Sequence, residues 1–339
     1  LLPSAVIPGM VVTVEAPTRI HFGLLQMSRT YATAYMGLGG ALSEPSWSLR
    51  IAASSAGDRF DDLPVELVDY ARRVCRALRA LTDFPPVSVR ARKTVPPHVG
   101  LGAKTSFGCA LLAGLVEFLA LPGGWPRYRH VLGRGGASGI GIHSAVSGGM
   151  ILDAGHILRP GDTLLPSSAR PGETPPPVVA RWDVGFLPPV VVARPSGLQG
   201  LHGPAEHAFF RERLPLPEAE VREVAAVALY ELVPALTRQD ARAFADGLTH
   251  LQGVGFKQAE WELQPDPVLA LRAAATSHGA TAVALSSLGP TLVVFADDPH
   301  RLADSLRTLD NVEASVSSFA AHGARVRACE GDGVDDYES

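Results

Sequence analysis

Cysteine is scarce in this chain: Cys75, Cys109 and Cys329 are the three among 339 residues, and they show no ligand spacing. That excludes a disulfide framework or a cysteine-built zinc site and fits a reducing, cytoplasmic setting. Long apolar runs are lacking as well; none approaches the roughly 18 residues of a membrane-spanning helix. The opening LLPSAVIPGM is apolar but has no basic n-region and no clear cleavage site, so it does not read as a signal peptide. An excess of positive charge is also missing, since the net charge is −4. No general binding to nucleic acid or to a membrane surface is expected. Any anionic ligand must therefore be held by local cations, helix ends or a metal.

Hydrophobic residues make up 46% against 19% charged, a globular composition long enough for about two domains. Alternation predicts short strands at Val11–Ala16, Ser48–Ala52 and Pro86–Thr94, and a helix over Pro64–Leu81. Phe107, Leu111, Leu115 and Phe118 recur at helical spacing, so a helix begins near Lys104 or Thr105. Met150–Asp153 reads as a strand. Residues 159–178 hold six prolines among Gly, Ser and Thr, which reads as a surface connection. Beyond it come strands at Val178–Trp182 and Val190–Ala193, then helices near 217–235, 238–258 and 266–278. A hairpin (Ala280–Leu285, Thr291–Ala296), a helix at 299–309 and a strand near 323–328 close the chain. The expected division is 1–160, a connection at 161–178, 179–330, and an acidic tail at 331–339. Runs of strands and runs of helices suggest α+β in both halves.

Residues 133–149, GRGGASGIGIHSAVSGG, carry seven glycines in seventeen positions. Glycine at this density lets backbone N–H groups approach an anion. GLGAKT (100–105) is not a Walker A loop, because Ala103 and His98 stand where glycines are required. A G-x-G-x-x-G fingerprint fails from Gly37, Gly100 and Gly133 alike. The physical content survives: a strand, a glycine turn and a helix start at Lys104 put free N–H groups and a partial positive charge where a phosphate can sit. Turns at 133–141 and 286–291 repeat the theme.

EAPTRIHFG (15–23), PPHVGLGAKT (96–105) and ALSSLGPT (284–291) stand in the order of the three signature motifs of the GHMP small-molecule kinase superfamily, which the chain resembles. The resemblance implies an α+β, GHMP-kinase-like two-domain fold, with a ribosomal-protein S5-like N-terminal domain, a ferredoxin-like C-terminal domain and the ligand between them. In mevalonate-type kinases a related loop, S-G-V-D-N-A-V-S-T-W-G-G, carries the catalytic aspartate. SGIGIHSAVSGG (138–149) aligns with it without a gap and puts Gly141 at that position. A glycine can neither accept a hydroxyl proton nor orient the attacking oxygen. RIHFGLL (19–25), GRGGASGIGIHSAVSGGMILDAGH (133–156), PSGLQGLHGPAEHAFF (195–210) and SSLGPT (286–291) are similar instead to the beta-ribofuranosylaminobenzene 5′-phosphate synthase branch. Gln26, where that pattern has an aspartate, and AKT at 103–105 depart from it.

This resemblance implies that phosphoribosyl pyrophosphate is joined to 4-aminobenzoate through carbon, with loss of CO2 and pyrophosphate, in methanopterin biosynthesis. Mg2+ is then the natural cofactor. Lys104 with Gly100, Gly102, Thr105 and Ser106 is expected to take one phosphate, and Arg134 with Gly135, Gly136, Ser138 and Gly139 another. Ser286, Ser287, Gly289 and Thr291 flank the third turn, the hydroxyls facing ligand or the glycine serving the turn alone. Arg19 and His21 alternate about Ile20 and can share a cavity; Arg19 suits a phosphate, the benzoate carboxylate, or a surface pair with Glu15. His143 is a candidate for the missing base or a structural histidine. Asp153, at the end of an apolar strand, and Glu206, at a helix start, are candidates for Mg2+, against roles as a turn cap and in dipole compensation. A homodimer is compatible with this reading. The rivals are an ATP-dependent kinase, which Gly141 opposes, and a non-catalytic sensor, which Lys104, Arg134 and Asp153 oppose.

Overall fold

A computed structural model describes residues 9–170, 172 and 174–330. The apolar start at 1–8 and the acidic tail at 331–339 lie outside the described residues. Among the described residues twelve strands form two sheets. The larger runs Arg325–Glu330, Met10–Gln26, Thr33–Ala53, Val87–Lys93, Arg59–Asp61. Met150–Asp153 and His156–Ile157 also pair with Thr33–Ala53, and Val178–Trp182 lies beyond Met150–Asp153.

Two long antiparallel strands are the spine of this sheet. The short strands expected at Val11–Ala16 and Ser48–Ala52 are the ends of Met10–Gln26 and Thr33–Ala53, which stay paired from Val11↔Ala52 to Gln26↔Tyr35. Prolines 17 and 45 and the glycines at 37, 39 and 40 break the apolar alternation, which is why these halves read as loop. Register shifts at Pro17/Thr18 and His21/Gly23 bend the ladder on either side of Arg19 and His21. Such irregularities re-aim side chains.

Behind the sheet, helix Val65–Arg79 buries Leu67, Tyr70, Ala71, Val74, Cys75 and Leu78 on one face. Helix Ala103–Phe118 is buried on almost every side, so the single stripe expected of it is only part of its packing surface. The smaller sheet runs Val312–Ser317, Val190–Pro195, Leu292–Ala296, Ala280–Leu285, with the expected hairpin in place. Helices Asp266–Ser277 and Pro299–Arg307 supply Val268, Leu271, Leu302 and Leu306 to its core. The helix expected over 238–258 is two, Ala241–Leu251 and Gly255–Glu262, broken where Gly255 takes φ +55°. A helix at Ile140–Ser147, inside the glycine run, was not anticipated.

The expected division at 161–178 needs correction. Strand Val178–Trp182 still pairs with Met150–Asp153, and Arg325–Glu330 returns to pair with Met10–Glu15. The crossing to the smaller sheet therefore lies between 182 and 190, and the return lies after 317. Nor is the proline-rich stretch a free surface connection. A Cβ on Gly136 would stand 1.8 Å from Arg170 O, and one on Gly135 would stand 3.0 Å from Pro175. Proline punctuates a strap folded over the glycine run.

Candidate active site

The three glycine or serine turns meet at one place. Gly100 (φ +85°) lies so close to the 286–291 turn that a Cβ there would stand 2.4 Å from Ser286 O. Ser286 Oγ donates to Gly100 O (2.8 Å) and accepts from His21 N (3.2 Å), while Thr291 Oγ1 donates to Val99 O (2.6 Å). Ser287 N donates to His21 O (2.9 Å). These bonds lock the end of Met10–Gln26 and the start of helix Ala103–Phe118 onto the smaller sheet's turn.

Between them lies a chamber lined by Arg19, His21, Leu24, Thr105, Arg134, Gly135, Ala137, Ser138, Gly141, Ser167, Glu206, Phe210, Glu260, Ser287 and Leu288. Arg134 and Ser167 also line a wider cleft with Tyr70, Arg73, Arg76 and Lys104. The cleft offers about 610 Å³ and the chamber about 80 Å³, so bulky charged groups fit outside and a small group within. Among the described residues no carboxylate forms an ion pair with Arg73, Arg76, Lys104 or Arg134. Like charges crowd here: burial, then Arg134 and Arg73, lower the Lys104 pKa. Burial, then Arg134, brings Arg19 down to about 10, against an opposing pull from Glu260. Unpaired, mutually repelling cations around a cleft are what an anion relieves.

His21 is buried, and its Nε2 lies 3.1 Å from Ser138 Oγ. Ser138 spends its one proton on Asp153 Oδ2 (3.0 Å), so it must accept from His21 Nε2–H. Burial, followed by Arg19 and Lys257, holds His21 well below the usual histidine range. It is a neutral imidazole with Nε2 protonated.

Several expected ligands are committed elsewhere. Asp153 is fully buried and accepts from Gly37 N (2.9 Å), Gly155 N (2.9 Å), Gly139 N (2.8 Å) and Ser138 Oγ. Its lone pairs are taken by the loop, which corrects both its metal role and the expected anion contact of Gly139. His143 Nε2 bonds Pro176 O (2.7 Å) and is not a chamber residue, so it is a clip for the proline strap and not a replacement base. Ser106 Oγ donates to Gly102 O and Ala103 O (both 3.2 Å), and Ser286 and Thr291 are fully buried on backbone carbonyls. Those three hydroxyls are structural. Gly136 sits beneath Arg170 O, and Gly289 N bonds Ser286 O (3.0 Å) within the turn. Thr105 N and Ser106 N close on Gly102 O (2.9 and 3.1 Å), so the first-turn amides left for an anion are those of Ala103 and Lys104.

Arg19, His21, Thr105, Arg134, Gly135, Ser138, Glu206 and Ser287 are brought together at the chamber, and Lys104 faces the outer cleft. Arg134 Nε donates to Thr105 Oγ1 (3.0 Å), which fixes its guanidinium between the two spaces. Arg19 donates to Gly100 O and makes no pair with Glu15. Glu206 accepts from Ser168 Oγ (2.7 Å), and burial raises its pKa against that bond. Gly141 faces inward: a Cβ there would lie 3.0 Å from Thr105 Cγ2 and 3.7 Å from Arg19 Cγ. Position 141 therefore looks into the site and presents no carboxylate to it. Among the described residues no group of three His, Cys, Asp or Glu side chains could hold a metal ion.

Arg73, Arg76, Phe210, Lys257 and Glu260 were not anticipated. Lys257 and Glu260 form a buried i,i+3 ion pair on Gly255–Glu262, beside the chamber. Their signal was two opposite charges at one-turn spacing in GVGFKQAEWE, which the misplaced helix end at 258 hid.

No protein-family model matches the chain. It is 30% identical over 298 residues to beta-ribofuranosylphenol 5′-phosphate synthase of Methanothermobacter thermautotrophicus, covering 84% of this chain and 88% of the relative. With the protein of the same name from Archaeoglobus fulgidus it shares 29% over 292 residues, 84% and 87% of the two chains. That name carries a phenol where the resemblance read from the sequence carried an aminobenzene. The fold is that of the GHMP kinases: homoserine kinase from Cytophaga hutchinsonii superposes with a TM-score of 0.65 at 17% identity, covering 94% of this chain and 97% of the kinase.

Proposed function

The chain belongs to the family of the beta-ribofuranosylphenol 5′-phosphate synthases, and from that membership we propose that it catalyses a decarboxylating phosphoribosyl transfer. The ribose C1 of phosphoribosyl pyrophosphate bonds to the carboxylate-bearing ring carbon of a para-substituted benzoate. The C1–O pair leaves with pyrophosphate, and the ring–carboxylate pair returns to the ring as CO2 departs. 4-Hydroxybenzoate and 4-aminobenzoate both carry the para donor that this attack needs; the relatives' name favours the first. On this reading the chain is a cytoplasmic enzyme of methanopterin biosynthesis.

One observation carries the reading: a cleft of unpaired cations opens through Arg134 onto a tight, partly apolar chamber, with glycine where a kinase needs its carboxylate. Lys104, Arg73 and Arg76 hold phosphate oxygens in the outer cleft. Arg134, at the junction, stabilises the charge that grows on the leaving pyrophosphate. Arg19 holds the benzoate carboxylate against the ribose, and Phe210, Leu24 and Leu288 wall the ring and exclude water. Positioning of this kind lowers a barrier by roughly 7–11 kcal/mol. His21, neutral, orients the acceptor without adding a charge.

With Asp153 saturated, Glu206 is the residue that would hold Mg2+, an ion for which one or two carboxylates suffice. When bound it supplies Lewis-acid neutralisation of the pyrophosphate. The test is incubation with carboxyl-labelled 4-hydroxybenzoate or 4-aminobenzoate, phosphoribosyl pyrophosphate and Mg2+. Labelled CO2 and pyrophosphate should appear in equal amounts. Pyrophosphate without CO2, or a product that keeps the label, would overturn the assignment.

A further inference from the structure

Charges along the site fall in a definite order. Lys104 feels Arg134 and Arg73; Arg19 feels Arg134 on one side and Glu260 on the other; His21 feels Arg19 and Lys257. Lys104, Arg73 and Arg76 line the outer cleft, Arg134 lies at its junction with the chamber, and Arg19, His21 and Glu260 line the chamber itself. Cations line the way in, and Glu260 stands in the chamber wall.

That carboxylate is unusual in its bonding. Glu260 has 5% of its side chain exposed and is paired through Oε2 with Lys257 Nζ. Among the described residues Lys257 is its one donor, so the other carboxylate oxygen is left without one. Lys257 meanwhile donates to Leu285 O (3.2 Å) and Ser287 O (3.1 Å), which holds the pair against the chamber wall. A buried carboxylate with unspent acceptor capacity is costly unless a donor arrives. Glu260 lines the chamber beside Phe210 and Leu288, so the donor has to come on a flat, largely apolar body.

We propose that Glu260 accepts the hydrogen of the para hydroxyl or amino group of the aromatic acceptor, and so is a catalytic residue at the opposite end of the ring from Arg19. This rests on the phosphoribosyl-transfer reading above. As the ring carbon bonds to C1 and the pyrophosphate pair departs, the para oxygen pushes a lone pair into the ring and its proton passes to Glu260. When CO2 leaves, its bonding pair restores the aromatic ring, and the proton returns to the oxygen. No further reactant is needed. With an amino group the same site takes an N–H and stabilises the iminium-like ring. The adjacent Lys257 opposes the rise in pKa that burial gives the carboxylate and so favours its ionised, accepting form.

The experiment compares binding of 4-hydroxybenzoate and 4-fluorobenzoate, which cannot donate, to the full chain, to Glu260→Gln and to the double variant Lys257→Met with Glu260→Leu. The double variant keeps a packed apolar pair where removal of one charge alone could unfold the chain. The unaltered protein should prefer the hydroxyl compound by at least about tenfold, the size of one hydrogen bond to a charged group. Both variants should lose most of that preference while binding phosphoribosyl pyrophosphate as before. A preference unchanged in the variants overturns the role of Glu260. If the unaltered protein forms no aryl riboside with CO2 release, the transfer reading itself fails, and the binding ratios separate that outcome from the first.

Discussion

A Cβ on Gly102 would stand 2.8 Å from Arg19 Cγ and 2.9 Å from Arg19 Nε. The residue before helix Ala103–Phe118 takes φ +67°, and the guanidinium arm of the first strand lies directly over it. Gly102→Ala should therefore act twice. It adds about 1–2 kcal/mol of left-handed backbone strain, visible as a lowered denaturant midpoint. It also pushes Arg19 from the chamber, so kcat/KM should fall by more than the stability change explains. If activity stays intact in the folded variant, the placement of Arg19 at the reacting end is wrong.

Among the described residues no carboxylate binds Arg134 or Lys104, and each should contribute the worth of a charged hydrogen bond. Arg134→Ala and Lys104→Ala are expected to weaken phosphoribosyl pyrophosphate binding by about 1.5–3 kcal/mol each. Arg73→Ala and Arg76→Ala should weaken it less, since both side chains are exposed to solvent, and raised salt should shrink all four effects. Calorimetric titration at two ionic strengths measures this. Wild-type affinity in all four variants would leave the outer cleft without a ligand.

Asp153 separates a loop-building role from a metal-binding one. Four donors converge on it, so Asp153→Ala leaves several buried groups unpaired and should cost at least about 3 kcal/mol of stability. Glu206→Gln should leave stability nearly unchanged and weaken the Mg2+ dependence of turnover. Thermal melts and Mg2+ titrations on both variants distinguish them; the reverse pattern would restore Asp153 as a ligand.

Gly141→Asp does not make a kinase of this chain. The Cβ would already press on Thr105 Cγ2 at 3.0 Å, and Thr105 holds Arg134. The variant should lose phosphoribosyl transfer and gain no phosphorylation of mevalonate, homoserine or sugars with Mg-ATP. Turnover near the ordinary kinase rate of about 1 s−1 would show that a single carboxylate was all that was missing.

Much of this was legible in the chain itself. The three turns and the hairpin at 280–296 are local features, fixed by glycine spacing or by alternation over a few residues; Gly141 was singled out by the resemblance to the kinase loop, and its facing Thr105 and Arg19 is a property of the fold. What stayed hidden depends on tertiary contacts. Asp153 is closed off partly by its own loop and partly by Gly37, and Ser286 by Gly100 O; both of these last partners lie more than a hundred residues away. Lys257 and Glu260 carry no motif at all. They become meaningful once the helix at Gly255–Glu262 is seen against the 286–291 turn. The proline strap misled for a similar reason, because composition marks a loop and not the sheet to which the next strand returns.

His21 gives the site a pH signature whose sign follows from its burial. Desolvation, then Arg19 and Lys257, favour the neutral ring in the folded chain, so its folded pKa lies well below its unfolded value of about 6.5. Below pH 6.5 the unfolded chain takes up a proton that the folded one refuses. Stability from this group is thus fully present above about pH 6.5 and is lost progressively as pH falls toward the folded pKa. Glu206 and Glu260, whose pKa values are raised by burial, act in the opposite sense: protonation favours their folded forms, and their penalty grows as pH rises from the unfolded carboxylate value of about 4.3. The two trends overlap between about pH 4.3 and 6.5, so the wild-type profile alone cannot isolate the histidine. His21→Gln keeps an Nε donor for Ser138 and removes the titration. The difference in unfolding free energy between wild type and variant should be flat above about pH 6.5 and should turn against the wild type below it. A difference independent of pH from 4.5 to 8 would mean that the ring titrates alike in the folded and unfolded chain, and the neutral, buried His21 donating to Ser138 would be overturned.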